Sequence, residues 1–162
     1  MPHNRVQSEM SEPIITVNVD TPMKDALKLM QDRKIRHLPV LRSDGELSGI
    51  LSDRDVKRAM DPDFPNFSPN AVAGDFMNWP VIRVDQATPL AKSVKLMIDQ
   101  KISAIVVTKG GKPAGIITSE DMLRVLYEIL LHEDKSGKLA ALDFTYEPVW
   151  REMMREASAV GL

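Results

Sequence analysis

Two hydrophobic patterns alternate along the chain, and each predicts a different kind of element. Short aliphatic or β-branched runs predict strands at Pro13–Val17, Leu38–Leu41 and Leu47–Leu51, and again at Pro80–Val84, Ile105–Thr108 and Ala114–Ile117. Apolar residues three or four positions apart predict helices, first at Met23, Ala26, Leu27 and Met30, then at Leu90, Ala91, Val94 and Met97/Ile98. Further helices are predicted to begin at Ser52 and Thr118. Each half of the chain therefore has the order strand, helix, strand, strand, helix.

The two halves are copies of one unit. Thr21-Pro22 recurs 67 positions later as Thr88-Pro89, and with that offset Val6–Val40 aligns with Ala73–Val107 without a gap. Identical pairs include Met10/Met77, Pro13/Pro80, Ile15/Ile82, Leu29/Leu96, Met30/Met97, Ile35/Ile102 and Val40/Val107. One copy has too small a core to be stable alone, so we expect an α/β (α+β) fold in which two pseudo-symmetric repeats pack sheet to sheet.

Turn and cap residues set the expected boundaries of the elements. Thr21 and Thr88 are expected as helix N-caps, each followed by proline at the first helical position. Asp44-Gly45 and Gly110-Gly111 predict hairpin turns. The expected domains are repeat 1 at residues 6–60, a proline-rich linker at 61–72, repeat 2 at 73–127 and a C-terminal helical extension at 128–162. In that extension, apolar residues at helical spacing predict a helix from Pro148 to about Ala159, packed on the body of the protein or on a second chain.

Composition excludes several classes of function. The formal net charge of −2 argues against a nucleic-acid partner. Cysteine is absent, and the three histidines lie too far apart for a metal site, so no metal is expected. No apolar run reaches the roughly 18 residues of a membrane span, and no signal-peptide core is present. We therefore expect a cytoplasmic protein that does not contact a membrane.

Both repeats carry the same phrase where the third strand meets the second helix: Gly49–Asp55 and Gly115–Asp121. A hydroxyl residue opens the helix in each phrase, and an aspartate follows three positions later. One interpretation is a capping box, with the hydroxyl as N-cap and the acid at the third helical position. The other is a ligand site, in which the helix N-terminus and the hydroxyl bind a phosphate and the carboxylate accepts ribose hydroxyls. The two interpretations are compatible.

These phrases, the Thr-Pro helix starts and the segment Ile35–Val40 resemble the cystathionine β-synthase (CBS) domain, and the tandem pair resembles a Bateman module over about residues 6 to 127. The resemblance suggests a small stand-alone CBS protein of bacterial or archaeal type. It implies a regulatory ligand such as AMP, ADP, ATP, S-adenosylmethionine or NAD, with no required cofactor. It also implies a homodimer, an unidentified client protein and no catalytic activity of the module itself.

The resemblance further implies two ligand sites between the repeats. Site one would use Ile14, Ile15, Thr16, Ile35, Arg36, His37, Pro39, Ile116, Thr118 and Asp121, with Ile116 contributing backbone groups. Site two would use Ile50, Ser52, Asp55, Val81, Ile82, Ile102, Ser103, Ala104 and Val106. Arg36 and His37 favour site one for a nucleotide, although Arg36 could also serve site two. Arg54 and Lys57 would add charge at site two, whereas Val106 departs from the proline found at Pro39.

Two functions follow as hypotheses. The first is a sensor of an adenine nucleotide or adenosine derivative that modulates a partner or a dimer. The second is a protein-interaction scaffold in which both phrases are helix caps only and no small molecule binds. The sequence does not distinguish among the adenosine ligands or name the partner.

Overall fold

The structure is a computed structural model that describes residues 5–65 and 67–135. Repeat 1 contains β1 (Val17–Asn18), α1 (Met23–Arg33), β2 (His37–Leu41), β3 (Leu47–Ser52) and α2 (Asp53–Ala59). Repeat 2 contains α3 (Ala73–Phe76), β4 (Arg83–Asp85), α4 (Leu90–Gln100), β5 (Ala104–Lys109), β6 (Lys112–Thr118) and α5 (Ser119–Lys135). The predicted order of elements is confirmed, with the short α3 as an addition and with the first strand of each repeat shorter than predicted.

Each repeat has one three-stranded sheet with its second strand in the centre, parallel to the first strand and antiparallel to the third. Leu38 and Val40 belong to a buried cluster with α1 and α2, so the helices cover that face of the first sheet. Pro39 alternates with them, points to the other face and is also fully buried. Because the central strands are buried on both faces, the structure agrees with the expected α/β fold of two repeats packed sheet to sheet.

The helix starts differ by one residue from the prediction. Pro22 and Pro89, not Thr21 and Thr88, occupy the N-cap positions, and neither helix has a side-chain cap. The Thr21 hydroxyl instead accepts a hydrogen bond from the backbone N–H of Asn18, in the turn that precedes the helix. The predicted hairpin turn at Gly110-Gly111 is present, and both of its glycines have the positive φ that this turn requires.

The segment just before the first strand of each repeat crosses to the other repeat. This crossing segment contains Met10 and Ser11 in repeat 1, and Met77 and Asn78 in repeat 2. Ser11 exchanges two backbone hydrogen bonds with Ile116 on β6, and Asn78 exchanges two with Ile50 on β3. The glycine of each phrase gives the crossing segment room. A Cβ at Gly49 would lie under 3.0 Å from three side-chain atoms of Met77, and one at the equivalent Gly115 would lie under 3.0 Å from Sδ of Met10 and the carbonyl oxygen of Ser11. The repeats are thus joined by reciprocal backbone pairing.

The buried face of α4 also departs from the prediction. Leu90 and Met97 are buried as expected, but Ala91 is exposed and Ile98 is 69% exposed. Ser93 is fully buried in their place, at the position that Ala26 occupies in α1.

All six strands and the first four helices lie within one compact unit that ends at Leu123, and α5 continues from Arg124 into a second unit. The helix predicted from Pro148 to about Ala159 lies outside the described residues. Among the described residues, no helix is long and apolar enough to cross a membrane.

Candidate functional site

A cleft of about 740 Å³ opens between the two repeats. From repeat 1 it is lined by β3, the start of α2 and the start of β2. Repeat 2 contributes the end of α4, the residues just after it, and the start of β5. The lining residues are Arg36, His37, Ile50, Ser52, Asp53, Arg54, Asp55, Arg58, Asn78, Met97, Ile98, Lys101, Ile102, Ser103, Ala104 and Ser119.

Asp55 is a buried carboxylate in the wall of this cleft, with 8% of its surface exposed. Its Oδ2 accepts hydrogen bonds from the backbone N–H of Ser52 (2.8 Å), from the Ser52 hydroxyl, and from Nδ2 of Asn78 (2.9 Å). The Ser52 hydroxyl oxygen in turn accepts a bond from the Asp55 backbone N–H. The capping-box interpretation is therefore confirmed at this phrase. It occupies Oδ2, whereas none of these bonds uses Oδ1.

The second phrase has the same internal bonding. Oδ2 of Asp121 accepts from the backbone N–H of Thr118 (2.8 Å) and from its hydroxyl (2.7 Å). Asp121 is 5% exposed, and the backbone N–H of Ile116 is already bonded to Ser11. A ligand would therefore reach Ile116 through its side chain or through a carbonyl that already accepts from Ser11.

The cleft contains more positive than negative charge. Four cationic side chains line it, against the carboxylates of Asp53 and Asp55; the four are Arg36, Arg54, Arg58 and Lys101. Burial acts to raise the pKa of Asp53, but the hydrogen bond and charge of Lys57 and the charge of Arg36 bring it below its ordinary value. Asp53 therefore remains ionised and is already neutralised by Lys57, 3.1 Å away.

Arg58 is held beside the cleft by the linker, with its guanidinium carbon 5.6 Å from the centroid of the Phe64 ring. Arg54 lies one helical turn before Arg58, and both are exposed. These guanidinium groups can form paired hydrogen bonds with a phosphate.

His37 lies at the boundary between the repeats, where its Nε2 is 3.1 Å from Oγ of Ser103. Burial and the positive charge of Arg36 lower the pKa of His37 below its usual 6.5, against the opposing effect of Asp53 and Asp55. At neutral pH the imidazole is therefore uncharged. Arg36 makes a second contact between the repeats, a 3.3 Å ion pair with Glu120.

The cleft brings together most of the residues predicted for site two. Those that line it are Ile50, Ser52, Asp55, Ile102, Ser103 and Ala104. Val106 is fully buried in the centre of β5, and Val81 and Ile82 are half-buried outside the lining.

The residues predicted for site one are not brought together in one cleft. Arg36 and His37 line the same cleft as site two, although Arg36 also reaches Glu120 in the second phrase. Ile15 and Ile35 pack against the core of repeat 1. Pro39 is fully buried, and Ile14 and Thr16 are half-buried. Whether a nucleotide prefers site one stays a prediction.

Several cleft residues were not identified from the sequence. The sequence contained a signal for Arg58, because it lies four residues after Arg54 and so on the same helix face. It contained no signal for Asn78, which lies in a crossing segment, or for Lys101, which ends a helix with a left-handed φ of 53°. Their positions depend on the packing of one repeat against the other. Within the described residues, no three His, Cys, Asp or Glu side chains are grouped as they would be around a metal ion.

Comparison with protein families gives two matches to one model, that of the CBS domain, over residues 6–62 and 73–128. A CBS domain-containing protein of Dictyostelium discoideum is 30% identical over 134 residues, covering 77% of this chain and 92% of that protein. A homoserine O-acetyltransferase of Methanohalobium evestigatum is 28% identical over 127 residues, covering 78% of this chain and 25% of that protein. The match therefore spans nearly all of one relative and a quarter of the other.

Solved structures resemble the whole pair of repeats. The CBS domain pair of protein MJ0100, in complex with 5′-methylthioadenosine and S-adenosyl-L-methionine, superposes with a TM-score of 0.70 and 26% identity, covering 78% of this chain and 98% of that chain. A conserved protein from Pyrococcus horikoshii superposes with a TM-score of 0.68 and 23% identity, covering 77% of this chain and 93% of that chain. The second likeness concerns the fold alone.

Proposed function

The chain belongs to the CBS domain family, and from that premise we propose that it is a regulatory module that binds an adenine nucleotide or another adenosine derivative in the cleft between its repeats. The observation that carries the proposal is one buried carboxylate, Asp55, in the wall of a cleft that also contains four cationic side chains. In this proposal the module binds its ligand and does not transform it.

The size of the cleft supports a ligand of this class. At about 740 Å³ it falls within the range of roughly 300–1,000 Å³ that is usual for small-molecule sites. Ile50, Ile102 and Ala104 supply apolar surface for a base, and the polar groups stand at the start of α2. The related CBS pair of protein MJ0100 was solved with two adenosine derivatives.

The charge of the cleft favours phosphate-bearing members of the class. Arg54 and Arg58 are available for a phosphate, whereas Asp53 is already paired with Lys57. A sulfonium ligand such as S-adenosylmethionine would instead bring a positive charge among four cations. We therefore propose AMP, ADP, ATP or NAD ahead of S-adenosylmethionine.

In the proposed complex Asp55 holds the ribose through Oδ1, because Oδ2 already accepts three hydrogen bonds. One carboxylate oxygen has two lone pairs and can accept from both ribose hydroxyls. The capping box then fixes the carboxylate in place, so the structural and ligand-binding roles of Asp55 support each other. Site one, at Thr118 and Asp121, is proposed as a second, pseudo-symmetric position.

Isothermal titration of the whole chain with AMP, ADP, ATP, NAD, S-adenosylmethionine and 5′-methylthioadenosine tests the proposal. We expect at least one phosphate ligand to bind well below millimolar Kd. Arg54→Ala and Arg58→Ala should each weaken that ligand about tenfold or more, since a hydrogen bond to a charged group contributes roughly 1.5–3 kcal/mol. The uncharged 5′-methylthioadenosine should be affected much less.

Arg42→Ala is the matched control. It removes the same charge from the β2–β3 turn, where Arg42 pairs with Asp44 outside the cleft, and it should leave the Kd unchanged. Failure of all six compounds to bind more tightly than millimolar would overturn the proposal. An equal loss of affinity in all three variants would show only a general effect of net charge.

The scaffold hypothesis rests on a different observation. Leu123, Tyr127 and Leu131 follow each other at four-residue spacing on α5 and are 64%, 62% and 42% exposed. An exposed apolar stripe of this kind suits an interface between proteins, and the CBS resemblance implies a second copy of the chain. Under this hypothesis Tyr127→Lys should convert a dimer to a monomer in light scattering, and none of the six compounds should bind in the cleft.

A further inference from the structure

Asn78 differs from the other cleft residues because repeat 2 supplies it to a carboxylate of repeat 1. Its side-chain Nδ2 donates to Oδ2 of Asp55 at 2.9 Å. Oδ2 of Asp55 acts as an acceptor here, as it does towards the Ser52 backbone N–H, so Asn78 presents its NH₂ group to it and the orientation of the amide is fixed.

The backbone of Asn78 is held as firmly as its side chain. Its N–H donates to the Ile50 carbonyl at 2.8 Å, and its carbonyl accepts from the Ile50 N–H at 3.0 Å. Ile50 lies on the same strand as Ser52, the other residue bonded to Asp55. Asn78 is therefore fixed relative to the capping box at three points.

The two repeats are not equivalent at this position. Ser11 stands where repeat 2 has Asn78, with the same pair of backbone hydrogen bonds, here to Ile116. Its side chain is shorter and carries no amide. The two crossing segments can therefore be compared within one chain. Each pairs with a strand that leads into a Ser/Thr-x-x-Asp phrase, but only the segment of repeat 2 carries an asparagine.

We infer that Asn78 is a positioning residue that makes the Asp55 site selective for ligands with free ribose hydroxyls. By occupying Oδ2 as a third donor, Asn78 prevents the carboxylate from turning, and Oδ1 stays directed at the ligand. Ribose selectivity then depends on the packing of repeat 2 against repeat 1. The inference rests on the proposed function, since it requires that a nucleotide occupy the cleft.

The test compares AMP with 2′,3′-dideoxyadenosine 5′-monophosphate, which lacks both hydroxyls, by isothermal titration of the whole chain. The wild-type chain should prefer AMP by about tenfold or more. In Asn78→Ser, which copies Ser11, the preference should fall below about threefold, because AMP loses affinity while the dideoxy compound binds nearly as before. Asn78→Asp, of the same size but without a donor, should reduce the preference at least as far.

Ser11→Asn is the control, because it makes the reciprocal exchange in the other crossing segment. It should leave the preference of the Asp55 site for AMP over the dideoxy compound unchanged. Both exchanges should preserve the backbone pairs, since these bonds do not involve the exchanged side chains, and thermal unfolding checks that each variant is folded.

A merely structural role for Asn78 predicts that both compounds weaken equally and the preference persists, and that result would overturn the inference. If none of the six compounds binds the wild-type chain, the proposed function fails and the inference fails with it; if the wild-type chain binds AMP no better than the dideoxy compound, only the inference fails. If the wild type shows the preference and Asn78→Ser keeps it in full, only the inference fails.

Discussion

His37 and Ser103 are hydrogen-bonded at 3.1 Å across the boundary between the two repeats. Under the internal repeat the residue equivalent to Ser103 is Arg36, the neighbour of His37, so the contact lies close to the pseudo-twofold axis. Its chemistry is nevertheless asymmetric, because Ala104 stands at the position equivalent to His37. The two repeats thus share a backbone plan and differ in the side chains that meet in the cleft.

The buried imidazole predicts a pH-dependent stability. The pKa of His37 is lower in the folded chain than its usual 6.5, mainly because of burial and also because of Arg36. Between the two pKa values the unfolded chain binds the additional proton, so the free energy of unfolding should fall as the pH drops below 6.5 towards the folded pKa. Urea unfolding at a series of pH values from 7.5 downwards measures this slope.

His37→Gln is the matched variant, because it keeps a hydrogen-bonding side chain opposite Ser103 and does not titrate. The unfolding free energy of the wild type minus that of the variant should decrease as the pH falls below 6.5. A difference that stays constant over that range would show that His37 does not contribute to the slope.

A buried hydroxyl predicts a stabilising substitution. Ser93 is fully buried in α4, and its Oγ has no hydrogen-bond partner among the described residues, whereas α1 has Ala26 at the equivalent position. Ser93→Ala should raise the free energy of unfolding by about 1 kcal/mol, because an unpaired buried polar group costs roughly 1–3 kcal/mol. The reverse exchange, Ala26→Ser, should lower it. Thermal unfolding of both variants compares them, and a destabilised Ser93→Ala would contradict the argument.

The close approach of Met77 to Gly49 predicts a steric conflict that a second substitution relieves. Gly49→Ala should destabilise the chain by roughly 1–3 kcal/mol, the usual effect of overpacking. In a Met77→Ala background the same change should be less harmful, since Sδ and Cγ, the two nearest of the three overlapping atoms, are gone and only Cβ remains. A double-mutant cycle in urea measures the coupling, and purely additive effects would show that the conflict lies elsewhere.

The ion pair between Arg36 and Glu120 is exposed, with 62% and 67% of the two side chains accessible. Glu120→Gln should therefore change the unfolding free energy by less than about 1 kcal/mol. It should also strengthen phosphate binding in the cleft at low salt, because Arg36 loses its competing carboxylate. Titration with the best nucleotide measures the affinity. Glu46→Gln, the same charge change in the β2–β3 turn, should leave it unchanged, and equal effects of both would indicate net charge alone.

The sequence by itself determined the duplicated plan of this protein. Strand and helix periodicity, the 67-residue offset and the repeated glycine phrase all depend on contacts within one repeat, and such contacts leave a local pattern in the chain. The same holds for the capping box, because its two partners lie three residues apart.

The tertiary structure decided which side chains meet in the cleft. Asn78 and Asp55 are 23 positions apart, and Lys101 and Ser103 reach the start of α2 only because the second repeat packs on the first. The burial of Ser93 and the exposure of Ile98 were likewise set by packing, not by apolar spacing. Hydrophobic periodicity records which face of an element is buried on average, whereas the donors and charges of a site between repeats are brought together by long-range contacts that no local pattern encodes.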